Sequence, residues 1–139
     1  MQNKIFIDSN VWLYLFLHED NKKFIITEKY LQNKNINSTF VITYQVINEI
    51  SNILLRNNFS ETEIREIIDY LFKICIIQDS TKEILLTASS VRKNYSFSFW
   101  DSIIVGSALF SECDTLVSED MQNGLIIDNK LLINNIFAI

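Results

Sequence analysis

The sequence predicts an α/β protein: a three-layer α/β/α sandwich around a mostly parallel sheet of about four to five short strands. Three observations predict it. Ile5-Phe6-Ile7 is an unbroken apolar run that ends on Asp8, the pattern of a strand buried on both faces. Short apolar runs alternate along the chain with segments of helical periodicity, as crossovers between parallel strands require. Leu116-Val117-Ser118 then repeats the opening pattern and passes directly into Glu119 and Asp120. With 139 residues, the chain is expected to form a single domain over residues 1–139 with one core.

Taken in order, the first strand places Asp8 at its carboxyl end. Residues 11–17 read as a buried helix that Ser9 or Asn10 can cap. His18 to Asn21 reads as a loop, and residues 22–33 as a helix. Lys22, Lys23, Lys29 and Lys34 make this the most basic stretch, either a solvated face or an RNA contact. A second strand is expected at residues 36–39, with Phe40-Val41-Ile42 as an extension. Thr43 can cap a helix to about Asn57, whose apolar stripe is Val46, Ile47, Ile50, Ile53 and Leu54. Glu49 lies beside that stripe. Ser60-Glu61-Thr62-Glu63 is a capping-box signature opening a helix to Phe72. The resulting helical hairpin either packs into the core or offers a dimer or partner face.

Ile74-Cys75-Ile76-Ile77 is a third strand. Ser80-Thr81-Lys82-Glu83 reads as another capping box before a helix to about Lys93. Residues 95–99 form a loop. Residues 100–110 form an apolar helix in which Gly106, Ser107 and Ala108 permit close packing. Thr115 to Ser118 is a fourth strand, Gly124 marks a turn, and residues 125–127 and 131–133 are short strand candidates.

Composition narrows the function. Hydrophobic residues make up 48% and charged residues 21%, values typical of a folded chain. No apolar run approaches the roughly 18 residues of a membrane span, and no signal-peptide pattern is present, so a cytoplasmic protein is expected. Cys75 and Cys113 are two cysteines only, read as buried hydrophobes and not as a disulfide framework. His18 is the sole histidine, which excludes zinc sites built on several histidines and any Ser-His-Asp triad without it. The net charge is −5, with a pI of about 4.8. Such a domain gains nothing from general attraction to nucleic acid, and a bound divalent cation is the simplest local correction.

Four acidic residues fall where burial is demanded: Asp8, Glu49, Asp101 and Asp120. Burying a charge without a partner or metal costs several kcal/mol as a rough figure, and no basic partner is obvious in the sequence near any of them. Gathered carboxylates repel one another, which raises their pKa values. A hard cation such as Mg²⁺ or Mn²⁺ reverses that preference. Capping is the competing explanation for Asp8, for Asp101 three residues after Ser98, and for Asp120; for Glu49 it is a place facing solvent.

Ile5-Phe6-Ile7-Asp8-Ser9-Asn10, Asn48-Glu49, Phe99-Trp100-Asp101-Ser102-Ile103-Ile104 and the stretch from Leu116 to Gly124 resemble the four signature blocks of PIN-domain nucleases. The tail from Lys130 to Phe137 resembles the closing strand of their bacterial toxin branch, the VapC-like toxins of type II toxin–antitoxin modules. The resemblance spans the chain and implies a PIN-like fold and an Mg²⁺- or Mn²⁺-dependent endoribonuclease. It makes Asp8, Glu49, Asp101 and Asp120 the catalytic metal site, Ser118 a supporting hydroxyl and Asn10 an outer partner, with Glu119 a competitor for the place of Asp120. It further implies RNA as substrate, an antitoxin and a second copy of the chain as partners, and a prokaryotic cytoplasm.

Two other readings remain open. A haloacid-dehalogenase-like phosphatase would use Asp8 as nucleophile, but it normally carries a second Asp where this chain has Asn10. A non-catalytic binding module would only hold a partner chain.

Overall fold

The computed structural model describes residues 3–138. Its order is β1 (Asn3–Ile7), α1 (Ser9–Leu17), α2 (Asn21–Lys34), β2 (Ser38–Thr43), α3 (Tyr44–Arg56), α4 (Glu61–Ile74), β3 (Cys75–Gln78), α5 (Lys82–Asn94), α6 (Phe99–Phe110), β4 (Thr115–Val117), β5 (Ile126–Ile127) and β6 (Leu131–Asn134). The sheet has six strands in the order β3-β2-β1-β4-β6-β5, more than the four to five expected. The excess lies at the end of the chain. β6 adds to β4 in parallel, and the two-residue β5 folds back antiparallel on β6.

Strand order switches sides at β1. From β1 the chain steps to β2 and β3 on one side, then returns across β1 to reach β4 on the other. Right-handed crossovers therefore put α1 to α4 on one face and α5 and α6 on the opposite face. The packing of α1 on α2 and α3, of α3 on α4, and of α5 on α6 agrees with this. β1 is central and buried: Ile5, Phe6 and Ile7 lie in the core, joined by Val41 and Ile42 from β2 and Leu116 and Val117 from β4. Each such side chain contributes about 1.5–3 kcal/mol on burial.

The helix starts follow local chemistry. Thr43 caps α3 by accepting from the Val46 amide, and Ser60 and Glu63 form the expected capping box on α4. One start settles an open choice and one differs from expectation. Asp8 itself caps α1, because its carboxylate reaches the Ser9 amide before either Ser9 or Asn10 can serve. Thr81, not Ser80, caps α5 through the Ile84 amide. At α6 only half a capping box forms: Ser98 Oγ accepts from the Asp101 amide at 3.2 Å. The second strand begins at Ser38 and runs through Phe40-Val41-Ile42, leaving Ile36 exposed. The α3–α4 hairpin turns its stripe inward: Val46, Ile47, Ile50, Leu54, Ile64 and Leu71 are core residues. Core packing thus accounts for that stripe, while Leu55 and Phe72 remain exposed. Among the described residues no helix is long and apolar enough to cross a membrane.

α5 and α6 approach closely at Gly106. A Cβ there would stand 3.0 Å from the Ile84 carbonyl oxygen and 3.1 Å from the Ala88 nitrogen. Both are backbone atoms that cannot swing aside. Gly106→Val is expected to lower stability by about 2–3 kcal/mol, read as a fall in the urea midpoint. An unchanged midpoint would contradict this packing.

Candidate active site

The site is built where the strand order switches sides. β1 and β4 run parallel side by side, with α1 leaving β1 on one face and α6 preceding β4 on the other, which opens a crevice beyond their carboxyl ends. The Asp8 amide donates to the Val117 carbonyl at 2.9 Å, carrying the β1–β4 ladder one residue further. The buried Trp12 indole donates to the Ile7 carbonyl at 3.1 Å and fixes how α1 departs from the strand. Asp8 is thereby held at the floor of the crevice with only 7% of its surface exposed. One carboxylate oxygen accepts from the Ser9 amide at 2.8 Å, the other from Ser118 Oγ at 2.9 Å. Capping and a place in the crevice are not alternatives for this residue; it does both.

The other three acids surround it. Asp101 stands half-buried in the first turn of α6. Its amide is bound by Ser98, and among the described residues no hydrogen bond reaches its carboxylate. Asp120 follows β4 on an exposed loop and accepts from Asn10 Nδ2 at 3.0 Å. Glu49 is exposed on α3 at the rim.

Electrostatics tie them together. Burial pushes the Asp8 carboxyl above the usual carboxylate range; the Ser9 and Ser118 hydrogen bonds oppose this, and the charges of Asp101 and Asp120 add to the rise. Glu49 is also raised, first by desolvation, then by Asp8; Gln45 opposes the shift and Asp101 adds to it. No cation is among the groups that shift either residue.

Glu119 stands apart from this set. It is bound by Tyr14 and by Lys23 Nζ at 2.5 Å, so the carboxylate next to Asp120 is already engaged elsewhere. Of its two partners, Lys23 belongs to the basic stretch expected to be a solvated face or an RNA contact, and Tyr14 carried no expected role. The available signal was that Tyr14 carries the only hydroxyl in the apolar run from Val11 to Leu17.

Two depressions flank the acids. An open groove of about 850 Å³ runs past Glu49 and is lined by Tyr44, Asn48, Leu85, Phe99 and Trp100. A polar cleft of about 260 Å³ is lined by Ser96, Ser98, Asp101, Asp120 and Gln122. The consecutive residues Trp100 and Asp101 stand at the junction between them.

The donor chemistry suits a hard divalent cation: every available group is oxygen, and Asn10 Oδ1 is buried without a partner. Among the described residues no three acidic, histidine or cysteine side chains gather closely enough to make a closed coordination shell. A closed shell is not what Mg²⁺ requires, since it keeps several waters and takes one or two carboxylates. The residues present fit an open site of that kind.

Residues 5–122 match the family model described as PIN domain. No curated protein matches the chain. Among solved structures, the fold is similar to a chain of a toxin–antitoxin complex from Klebsiella pneumoniae, with 14% identity, 97% of this chain and 99% of that one covered, and a TM-score of 0.74. It is similar to a chain of VapBC2 from Rickettsia felis bound to a DNA fragment from their promoter, at 17% identity, 95% and 98% coverage and a TM-score of 0.69. It is also similar to Mycobacterium tuberculosis VapC20, a Sarcin-Ricin loop cleaving toxin, at 15% identity, 81% and 86% coverage and a TM-score of 0.65.

The raised carboxyl of Asp8 has a consequence for stability. A group whose folded pKa exceeds its unfolded value contributes fully only below the unfolded value, and the contribution is lost as pH rises through the folded one. Without metal, the Asp8 carboxyl therefore contributes less to folding at neutral pH than at acid pH. Asp8→Asn keeps an acceptor for the Ser9 amide and a group able to donate to Ser118 Oγ, while removing the charge. It is expected to raise stability by on the order of 1 kcal/mol at pH 7 in EDTA. The gain should fade toward pH 4, near the unfolded carboxyl value of about 3.9. Urea denaturation at the two pH values measures this, and a less stable variant at pH 7 would count against it.

Proposed function

The chain belongs to the PIN domain family, and from that premise we propose that it is a metal-dependent endoribonuclease and the toxin of a type II toxin–antitoxin module. The observation that carries the reading is Asp8 buried at the end of β1 with only the neutral Ser9 amide and Ser118 hydroxyl bound to it, and with the charges of Asp101 and Asp120 near enough to act on it. Bound there, Mg²⁺ or Mn²⁺ would supply a Lewis acid for the phosphate and lower the pKa of water.

The chain's own residues supply the rest. Asp8, fixed from both sides by the Ser9 amide and Ser118 Oγ, offers the most rigid oxygens and anchors the site. Asp101 presents its carboxylate from a helix start that orients it. Asp120 is the third acidic contact, steadied by the Asn10 amide. Glu49 stands at the mouth with a raised carboxyl, suited to orient the attacking water and take its proton on a carboxylate oxygen. Attack by water leaves a 5′-phosphate and a 3′-hydroxyl and makes no use of the ribose 2′-hydroxyl.

The choice of RNA rests on the family and on similarity in fold to a toxin described as cleaving the Sarcin-Ricin loop. An antitoxin partner is supported by the two similar folds that come from toxin–antitoxin assemblies. Assembly as a homodimer and a place in a prokaryotic cytoplasm follow from the same reading. The phosphatase alternative lacks its second group: Asn10 stands in that position and is bound to Asp120.

Purified protein incubated with RNA and Mg²⁺ is expected to yield 5′-phosphorylated fragments. Asp8→Asn and Asp101→Asn should each reduce the cleavage rate at least on the order of a hundredfold while the circular dichroism spectrum is retained. Undiminished cleavage in EDTA would rule out the metal mechanism. Mn²⁺ at a hundredfold excess over its Kd should stabilise the wild type by about 2.7 kcal/mol. A melting temperature indifferent to Mn²⁺ would weigh against the site.

A further inference from the structure

Three of the four carboxylates stand on regular structure: Asp8 at the end of β1, Glu49 within α3 and Asp101 in the first turn of α6. Asp120 has no such support, since residues 118–122 are neither helix nor strand. Backbone bonds fix the loop at its ends, from the Ser118 amide to the Asn134 carbonyl and from the Gly124 amide to the Ile133 carbonyl. Met121 is buried, so the direction of Asp120 between those ends is left to side-chain contacts.

The residue before it supplies them. Glu119 is gripped by Lys23 Nζ at 2.5 Å and by the Tyr14 hydroxyl, and Lys23 Nζ also donates to the Tyr14 oxygen at 3.1 Å. The triangle joins α1, α2 and the loop after β4. Aromatic packing steadies it: Lys23 Nζ lies 4.7 Å from the Tyr14 ring centroid and 5.5 Å from that of Phe137. Tyr14 meets Phe137 edge-on at 5.1 Å. Asn135 ties the same loop from the far side, donating to the Glu119 carbonyl and, from its own amide, to Asn123 Oδ1. Among the described residues Lys23–Glu119 is the only ion pair. Its side chains are 31% and 21% exposed, so it is sheltered more than a surface pair.

We propose that Lys23, Tyr14 and Glu119 form a clamp that positions Asp120. Holding Glu119 on the α1–α2 side presents the next carboxylate to Asn10 and to the Asp8 crevice, and it keeps a fifth acid away from the other four. Lys23 is thus a positioning residue, and that cation of the basic helix is committed to the loop. The catalytic part of this inference rests on the proposed nuclease reading; the positioning part does not.

Lys23→Met removes the cation and keeps the aliphatic stem. In the metal-free protein, amide hydrogen exchange over residues 118–123 should quicken. Affinity for Mn²⁺ alone should weaken on the order of ten- to a hundredfold, and kcat for RNA should fall by a similar factor with KM unchanged. Lys23→Arg should restore all three. Wild-type exchange, Mn²⁺ affinity and kcat in Lys23→Met would overturn the clamp. So would a loss of stability alone with the other readouts unmoved. Should Lys23→Met fail to fold, Glu119→Gln and Tyr14→Phe test the same triangle and should move the readouts in the same direction; wild-type values in both would overturn it. If Asp101→Asn cleaves RNA normally, the nuclease reading fails, and the clamp is then judged by hydrogen exchange alone.

Discussion

A carboxylate buried at the seam between two parallel strands is the constraint on which this structure turns. Asp8 closes the central strand, and the fold surrounds it with the Ser9 amide and the Ser118 hydroxyl but with no positive charge. Neutral donors soften the desolvation of an ion without cancelling it. The rest of the crevice deepens the problem, because Asp101, Asp120 and Glu49 add like charge around the same point. A fold that keeps such a cluster carries local instability at a place where an outside cation can relieve it.

That electrostatic debt links stability to function. An ion that relieves it is held most strongly where the carboxylates are fixed, and fixing them is the task of ordinary structure: a strand end, a helix start, one face of α3. Only Asp120 sits on a loop, pinned at its ends by backbone bonds and by the buried Met121, and there the Lys23–Tyr14–Glu119 triangle adds a side-chain hold. In the proposed toxin, a cationic side chain from an antitoxin would meet the same uncompensated charge that a metal ion does, so inhibition and catalysis would draw on one feature.

Much of this was legible in the residues. The continuous run Ile5-Phe6-Ile7 fits a strand covered on both faces, and the position of Asp8 at its end followed from that reading. The caps at Thr43 and Ser60 were legible because a hydroxyl three residues before a backbone amide is a local matter. The cap of α1 stayed open between Asp8, Ser9 and Asn10, because the bond Asp8 makes runs to the very next amide, a shorter reach than the usual pattern. The sixth strand was undercounted because β5 is two residues long and exists only by pairing with β6. The apolar stripe of the α3–α4 hairpin left its destination open, since periodicity defines a face but not what covers it. Lys23 read as one lysine among several on α2; its partner Glu119 lies 96 residues away, beyond the reach of any local pattern.

The most direct test of the central claim is a crystal of this protein grown with Mn²⁺, with anomalous scattering used to locate the ion. The account predicts one or two peaks in the crevice, about 2.0–2.2 Å from oxygens of Asp8 and at least one of Asp101, Asp120 or Glu49, with waters completing the shell. A crevice without anomalous density at saturating Mn²⁺, its carboxylates splayed toward solvent or paired with protein cations, would contradict it.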